Sequence, residues 1–345
     1  MSLARTLMNG GNIEEVTVES ARYGHADGAS IIAMESVEEL HDIFLESYNY
    51  EQADIAAMTE GVALEGSQYE AVAEAAIKNA LTKVKEFFQK LWAKVKAFFA
   101  NVRRYFDAIF MSGKDFVKKY QKIIDKIDLE DFSYTMYTYN DGAIDNFYSK
   151  YPDIDKAAED CLDTFATVVV DFAKDSEGKD LGPKDEAFEK SIAEIKKATE
   201  DDAVAKEFYG VSSADDLDEF LFKKYRKDVD KEERDLKESD ISAFAKVLTD
   251  SKAIANLDKC QAQSDKMYAK AIKMMTDAEK KADKAKGGLA TQVSRMASAC
   301  ASHISKCQTF ANKDINAWKS AVKSRDAEYK AAINAAMSAS KKKSK

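Results

Sequence analysis

The stretch Val84–Phe99, VKEFFQKLWAKVKAFF, decides the fold class of this chain. Its apolar residues continue a series made of Ile77, Leu81, Val84, Phe88, Leu91, Val95, Phe98, Val102, Tyr105 and Ile109. Steps of three and four place all of them on one side of a helix running from Tyr69 to about Phe110. Phe87, Trp92, Phe99, Phe106 and Phe110 widen the stripe, and Lys78, Lys83, Lys85, Lys90, Lys94 and Lys96 occupy much of the remaining surface. So wide an aromatic stripe on a basic helix has three uses: the interior of its own domain, a seat for a partner helix, or a face laid on an anionic bilayer. Packing in a core or assembly is the commoner use.

On the N-terminal side lies VALEGSQYE, Val62–Glu70. Ser67 with Glu70 three residues later has capping-box spacing and starts the helix. Residues 1–65 upstream hold scattered glycines and no sustained period, so they read as an acidic, weakly ordered segment. Glu followed by a small residue recurs there as Glu19-Ser20, Glu35-Ser36, Glu46-Ser47, Glu60-Gly61 and Glu65-Gly66, then as Glu70-Ala71 and Glu74-Ala75. Two of these sites carry alanine two residues earlier, Ala33-Met34-Glu35-Ser36 and Ala63-Leu64-Glu65-Gly66.

On the C-terminal side, Ser112 with Asp115 predicts a new cap and a second amphipathic helix, completing a basic unit over 66–128. Alternation of Phe132, Tyr134, Met136 and Thr138 with polar and aromatic neighbours predicts one small strand or hairpin element near 132–139, with Asn140-Asp141-Gly142 as its turn. The acidic region 129–250 reads as several helices, one starting after Pro183 and another at Ser212 or Ser213. Residues 251–345 read as a helical hairpin with a basic tail. One stripe runs through Ile254, Leu257, Ser264, Met267 and Ala271, Gly287-Gly288 breaks it, and a second runs through Met296, Cys300, His303, Cys307, Phe310, Trp318 and Tyr329. Small residues in both stripes predict an antiparallel coiled coil with close helix approach.

The fold class expected is therefore mainly α, with long amphipathic helices and a C-terminal antiparallel hairpin. Composition agrees: 345 residues, 45% apolar, 33% charged and only two prolines. No run reaches the ~18 apolar residues of a membrane span, and the first residues have no signal-peptide core, so synthesis in the cytoplasm is expected. The four cysteines are too few and too scattered for a disulfide framework.

Charge is distributed in blocks. Residues 1–75 carry −13, residues 76–128 carry +8, residues 129–245 carry −16 and residues 246–345 carry +12, for a net of −9. The two basic blocks, and above all the tail with Lys341, Lys342, Lys343 and Lys345, suit non-specific contact with the phosphates of DNA. A solubilising face is the plainer explanation of the same lysines. No phosphate loop, dinucleotide fingerprint or nucleophile elbow occurs, and only three histidines exist, so no catalytic residues and no cofactor are expected. Cys300, His303 and Cys307 share a helical face, but a structural zinc needs a fourth ligand, such as Cys260 from a distant element. A cysteine and histidine seam between helices is the simpler account, and no metal is expected.

The clustered Ala-x-Glu sites, followed by the lysine-aromatic helix, resemble the internal head and structural proteins of large-genome tailed bacteriophages. In that family a prohead protease removes an N-terminal propeptide after a small-x-Glu sequence. The resemblance implies a cut in Ala63-Leu64-Glu65-Gly66, with a secondary site in Ala33-Met34-Glu35-Ser36. It also implies other virion proteins and the prohead protease as partners, packaged DNA as a non-specific neighbour, and passage from the host cytoplasm to the head interior. The alternative readings are a membrane-active chain that lays residues 83–110 on a bilayer, and a host-directed factor that binds a protein through its acidic middle.

Overall fold

The computed structural model describes residues 67–147, 156, 159–165, 186–227, 230–282 and 289–343. Among the described residues the fold is mainly α, with one two-stranded antiparallel sheet. Its frame is a pair of very long helices, α1 (Ser67–Ile124) and α8 (Leu289–Lys343). At 1.5 Å per residue they run roughly 87 and 82 Å. They lie parallel: ring contact joins Phe106 to Trp318, Lys330 Nζ donates to Ser112 Oγ, and the Asp128 amide beyond the end of α1 donates to Ser340 Oγ.

The third position of the bundle is shared by two helices in tandem, α6 (Glu238–Thr249) and α7 (Lys252–Ala282). Both run antiparallel to α1. Trp92 Nε1 donates to Asp265 Oδ1 at 2.6 Å and Arg103 pairs with Asp258, so α7 descends as α1 climbs. Likewise the Leu129 amide donates to Glu238 at one end of α6, while Gly113 faces the Leu248 carbonyl at the other.

One continuous core fills this bundle from Val84 to Met337. Val84, Phe88, Leu91, Val95, Phe98, Val102, Tyr105 and Ile109 are all buried, as are Phe87, Phe99, Phe106 and Phe110. The stripe of α1 from Val84 to Phe110 is thus enclosed between α7 and α8, with Trp92 half-buried at its edge, each buried side chain contributing on the order of 1.5–3 kcal/mol. Trp318 shows how tightly the parts are joined. Its ring stacks on Phe147 at 4.2 Å and meets Phe106 edge-on at 5.0 Å, while Nε1 donates to the Ile144 carbonyl at 3.0 Å.

Four expectations change. First, α1 passes unbroken through Ser112, so that residue is not a cap. Ser112 accepts a hydrogen bond from Lys330 instead, and Gly113 is needed where the end of α6 meets α1. Second, the strand is real, but its partner is distant. Strand β1 (Ser133–Met136) pairs antiparallel with β2 (Glu232–Asp235), Ser133 opposite Asp235 and Met136 opposite Glu232. Asn140 is not a hairpin turn: its side chain accepts from the Ala143 amide and caps the short helix α2 (Asp141–Asp145).

Third, the two hairpin helices α7 and α8 are antiparallel, but their closest neighbour is α1, and they meet each other through long side chains such as Tyr268 and Gln308, 3.1 Å apart. The segments 66–128 and 251–345, separate in the sequence reading, therefore share one core. Fourth, the helix expected from Ser212 or Ser213 begins four or more residues later, because Ser213 bonds to Asp216 and the Ala214 amide donates to Asp202.

The rest of the acidic middle packs on α8 as α3 (Glu186–Ala198), α4 (Asp201–Tyr209) and α5 (Leu217–Tyr225), with helical residues 159–165 alongside. A second small core of Val204, Ala205, Leu217, Leu221 and Phe310 holds α4 and α5 there. So does the buried carboxylate of Asp314, which accepts from Lys224 Nζ at 2.7 Å and from the Tyr225 hydroxyl at 2.5 Å. Burial, and then the charge of Asp314, push the Tyr225 hydroxyl well above its ordinary range.

Candidate nucleic-acid interface

The fold sorts the bases of α1 into two groups. Along its middle two of them face acids on α7: Arg103 pairs with Asp258, and Lys96 lies 4.0 Å from Asp265 with its ammonium over the Trp92 ring. Beyond Gly113 the flanking helix is α6, and the outer face of α1 is open. There Lys114, Lys118, Lys122 and Lys126 are all exposed. They recur every fourth residue, Lys126 lying just past the helical end, so they form one ridge spanning ~18 Å at helical rise. A duplex carries on the order of ten phosphates over that length, at one per ~1.7 Å of axis. Asp115 and Asp125 border the ridge, and Asp125 accepts from Gln121 at 2.7 Å.

Because α1 and α8 are parallel, their C-termini meet. The bond from Asp128 to Ser340 sets the last turn of α8, with Lys341, Lys342 and Lys343, beside the end of the lysine ridge. The C-terminal ends of the two basic blocks, more than two hundred residues apart, thus meet at one end of the bundle. Part of this charge has a structural use, since two parallel helices direct their partial negative ends to the same place and lysines in the last turns offset them. Lys345 lies outside the described residues.

The cleavage motifs Ala63-Leu64-Glu65-Gly66 and Ala33-Met34-Glu35-Ser36 also lie outside them. Description of the helix starts at Ser67, so the cap expected at Ser67 with Glu70 lies at the edge of the described residues.

His303 and Cys307 lie in the α8 seam, where the thiol is 3.6 Å from Nε2 and Thr199 Oγ1 is 3.4 Å from Nδ1. Burial holds the His303 imidazole below its ordinary value, favouring the neutral ring. Among the described residues no group of His, Cys, Asp and Glu is arranged to hold a metal ion. Cys300 does not join His303 and Cys307. It meets Cys161, a pairing that the spacing of the cysteines gave no reason to expect. Beside it is a surface cleft of about 540 Å³ lined by Lys156, Asp160, Cys161, Glu194, Glu207 and His303 among others.

No helix among the described residues is long and apolar enough to cross a membrane. Comparison with protein-family models, curated proteins and solved structures finds no match for this chain.

Proposed function

We propose that this chain is a structural component of a tailed-bacteriophage virion, carried inside the head and matured by removal of its acidic N-terminal segment. The observation that carries this reading is the coincidence at Glu65-Gly66. A small-x-Glu site closes the block of residues 1–65, which has a charge of −11, and the long core helix is described from Ser67 onward, where the sequence has capping-box spacing. A cut there removes most of the acidic block and spares the buried stripe, whose first described buried residue is Val84. What remains is a rod with a basic end, suited to weak contact with packaged DNA without sequence preference.

The bilayer reading of residues 83–110 loses support, because the side chains that would enter lipid are those the core already encloses. The test is a Glu65→Ala chain expressed during infection. Its particle-borne form should keep the precursor size or shift to the Ser36 site. Normal processing of that variant would overturn the assignment of the cut.

A further inference from the structure

Cys161 and Cys300 stand 139 positions apart in sequence, on the helical residues 159–165 and on α8. Their sulfur atoms are 3.2 Å apart, and Cys300 Sγ lies 3.7 Å from the Cys161 carbonyl. A disulfide needs ~2.05 Å, so closing the gap takes about 1 Å of side-chain movement. The two thiols differ in access. Cys300 is fully enclosed, whereas Cys161 is at the edge of burial and lines the surface cleft. Cys260 and Cys307 are buried elsewhere in the bundle.

We propose that Cys161 and Cys300 are a redox modification site, oxidised by a peroxide that enters the cleft and closed as a disulfide between the 159–165 helix and α8. Cys161, reached from the cleft, is the attacking thiol. Its sulfur displaces hydroxide from the peroxide O–O bond, giving a sulfenic acid, while its proton and the departing oxygen leave as water for hydrogen peroxide. Cys300 then attacks the Cys161 sulfur, the S–O bond breaks, and the hydroxyl departs as a second water with the Cys300 proton. Two thiols lose two electrons in total and the peroxide gains them. The hydrogen bond with Cys161 and burial hold the Cys300 thiol well above its ordinary value, which disfavours Cys300 as the thiol that meets the peroxide first. The product fastens the acidic flank of the molecule to the rod across a long loop, where a cross-link restricts the unfolded chain most.

The test treats the reduced full-length protein with about one equivalent of hydrogen peroxide. Intact mass should fall by ~2 Da, and peptide mapping without reductant should recover the peptides containing Cys161 and Cys300 as one linked species. A reducing thiol should restore both. Melting temperature should rise by several degrees, on the order of 5–10 °C for a loop of this length. Cys161→Ser and Cys300→Ser should each abolish the linked species, and Cys260→Ser should leave it. Mapping of the unsubstituted protein needs no variant to fold. Over-oxidation of Cys161 without a link, a link to Cys260 or Cys307, or thiols that stay reduced would each overturn the proposal.

Discussion

Gly113→Ala separates the two accounts of α1 by the sign of its effect. If the helix broke at Ser112, Gly113 would be a solvated residue in the first turn of a new helix, and alanine would stabilise it by up to ~1 kcal/mol. In the structure Gly113 is buried mid-helix. A Cβ built there lies 2.3 Å from the Leu248 carbonyl oxygen and 3.2 Å from its carbon. Both neighbours are backbone atoms at the C-terminal end of α6, so no side chain can swing away, and α6 must move off by roughly 1 Å. That end of α6 also carries Leu248 and, one turn back, Phe244 stacked on Tyr329 at 4.0 Å. Overpacking of this kind costs ~1–3 kcal/mol. Set against the full propensity gain, the net is a loss of up to about 2 kcal/mol. Urea unfolding followed by far-ultraviolet circular dichroism measures it, with the slope of the transition checked for two-state behaviour. A variant more stable than the parent would refute the close approach of α6 to α1 and with it the tandem placement of α6 and α7.

Three further outcomes follow from the packing and charge. Trp318→Ala removes the ring shared by Phe106 and Phe147 and should cost ~3–5 kcal/mol; Trp318→Phe should cost less but leave the Ile144 carbonyl without its donor, ~1–3 kcal/mol. His303, held neutral by burial, gives a pH dependence of fixed sign. Above about pH 6.5 neither state is charged, whereas below it the unfolded chain binds a proton that the folded chain resists. Stability should therefore fall with falling pH by up to ~1.4 kcal/mol per unit until the lowered folded value is reached. His303→Gln should flatten that part of the profile, and an unchanged slope would assign it to other groups. Replacing Lys114, Lys118, Lys122 and Lys126 by Gln in a chain starting at Gly66 should weaken duplex binding and reduce the slope of log affinity against log salt by up to ~3.6. Equal affinity and slope would remove the ridge from the interface.

The sequence revealed what was periodic and local. Val84 to Ile109 announce one buried face because each step repeats the helical turn, and Met296, Trp318 and Tyr329 announce another. Long-range causes stayed hidden. Nothing near Gly113 shows that a carbonyl of Leu248 arrives there, so Ser112-Gly113 reads as a break. Glu232–Asp235 is exposed throughout and has no apolar alternation, and it is a strand only because Ser133–Met136 offers it a backbone partner. The lysines at 114, 118, 122 and 126 can be counted in the sequence. Their exposure as one ridge, and their meeting with Lys341, depend on α1 and α8 running parallel. The meeting of Cys161 with Cys300 likewise depends on how the acidic middle lies against α8.

The central claim is maturation at the start of α1, and the N-terminal residue of the chain recovered from purified, DNA-filled particles tests it most directly. The account predicts Gly66 as the principal terminus, with Ser36 in partly processed material. Particles in which the chain still begins at Met1 or Ser2 would contradict it.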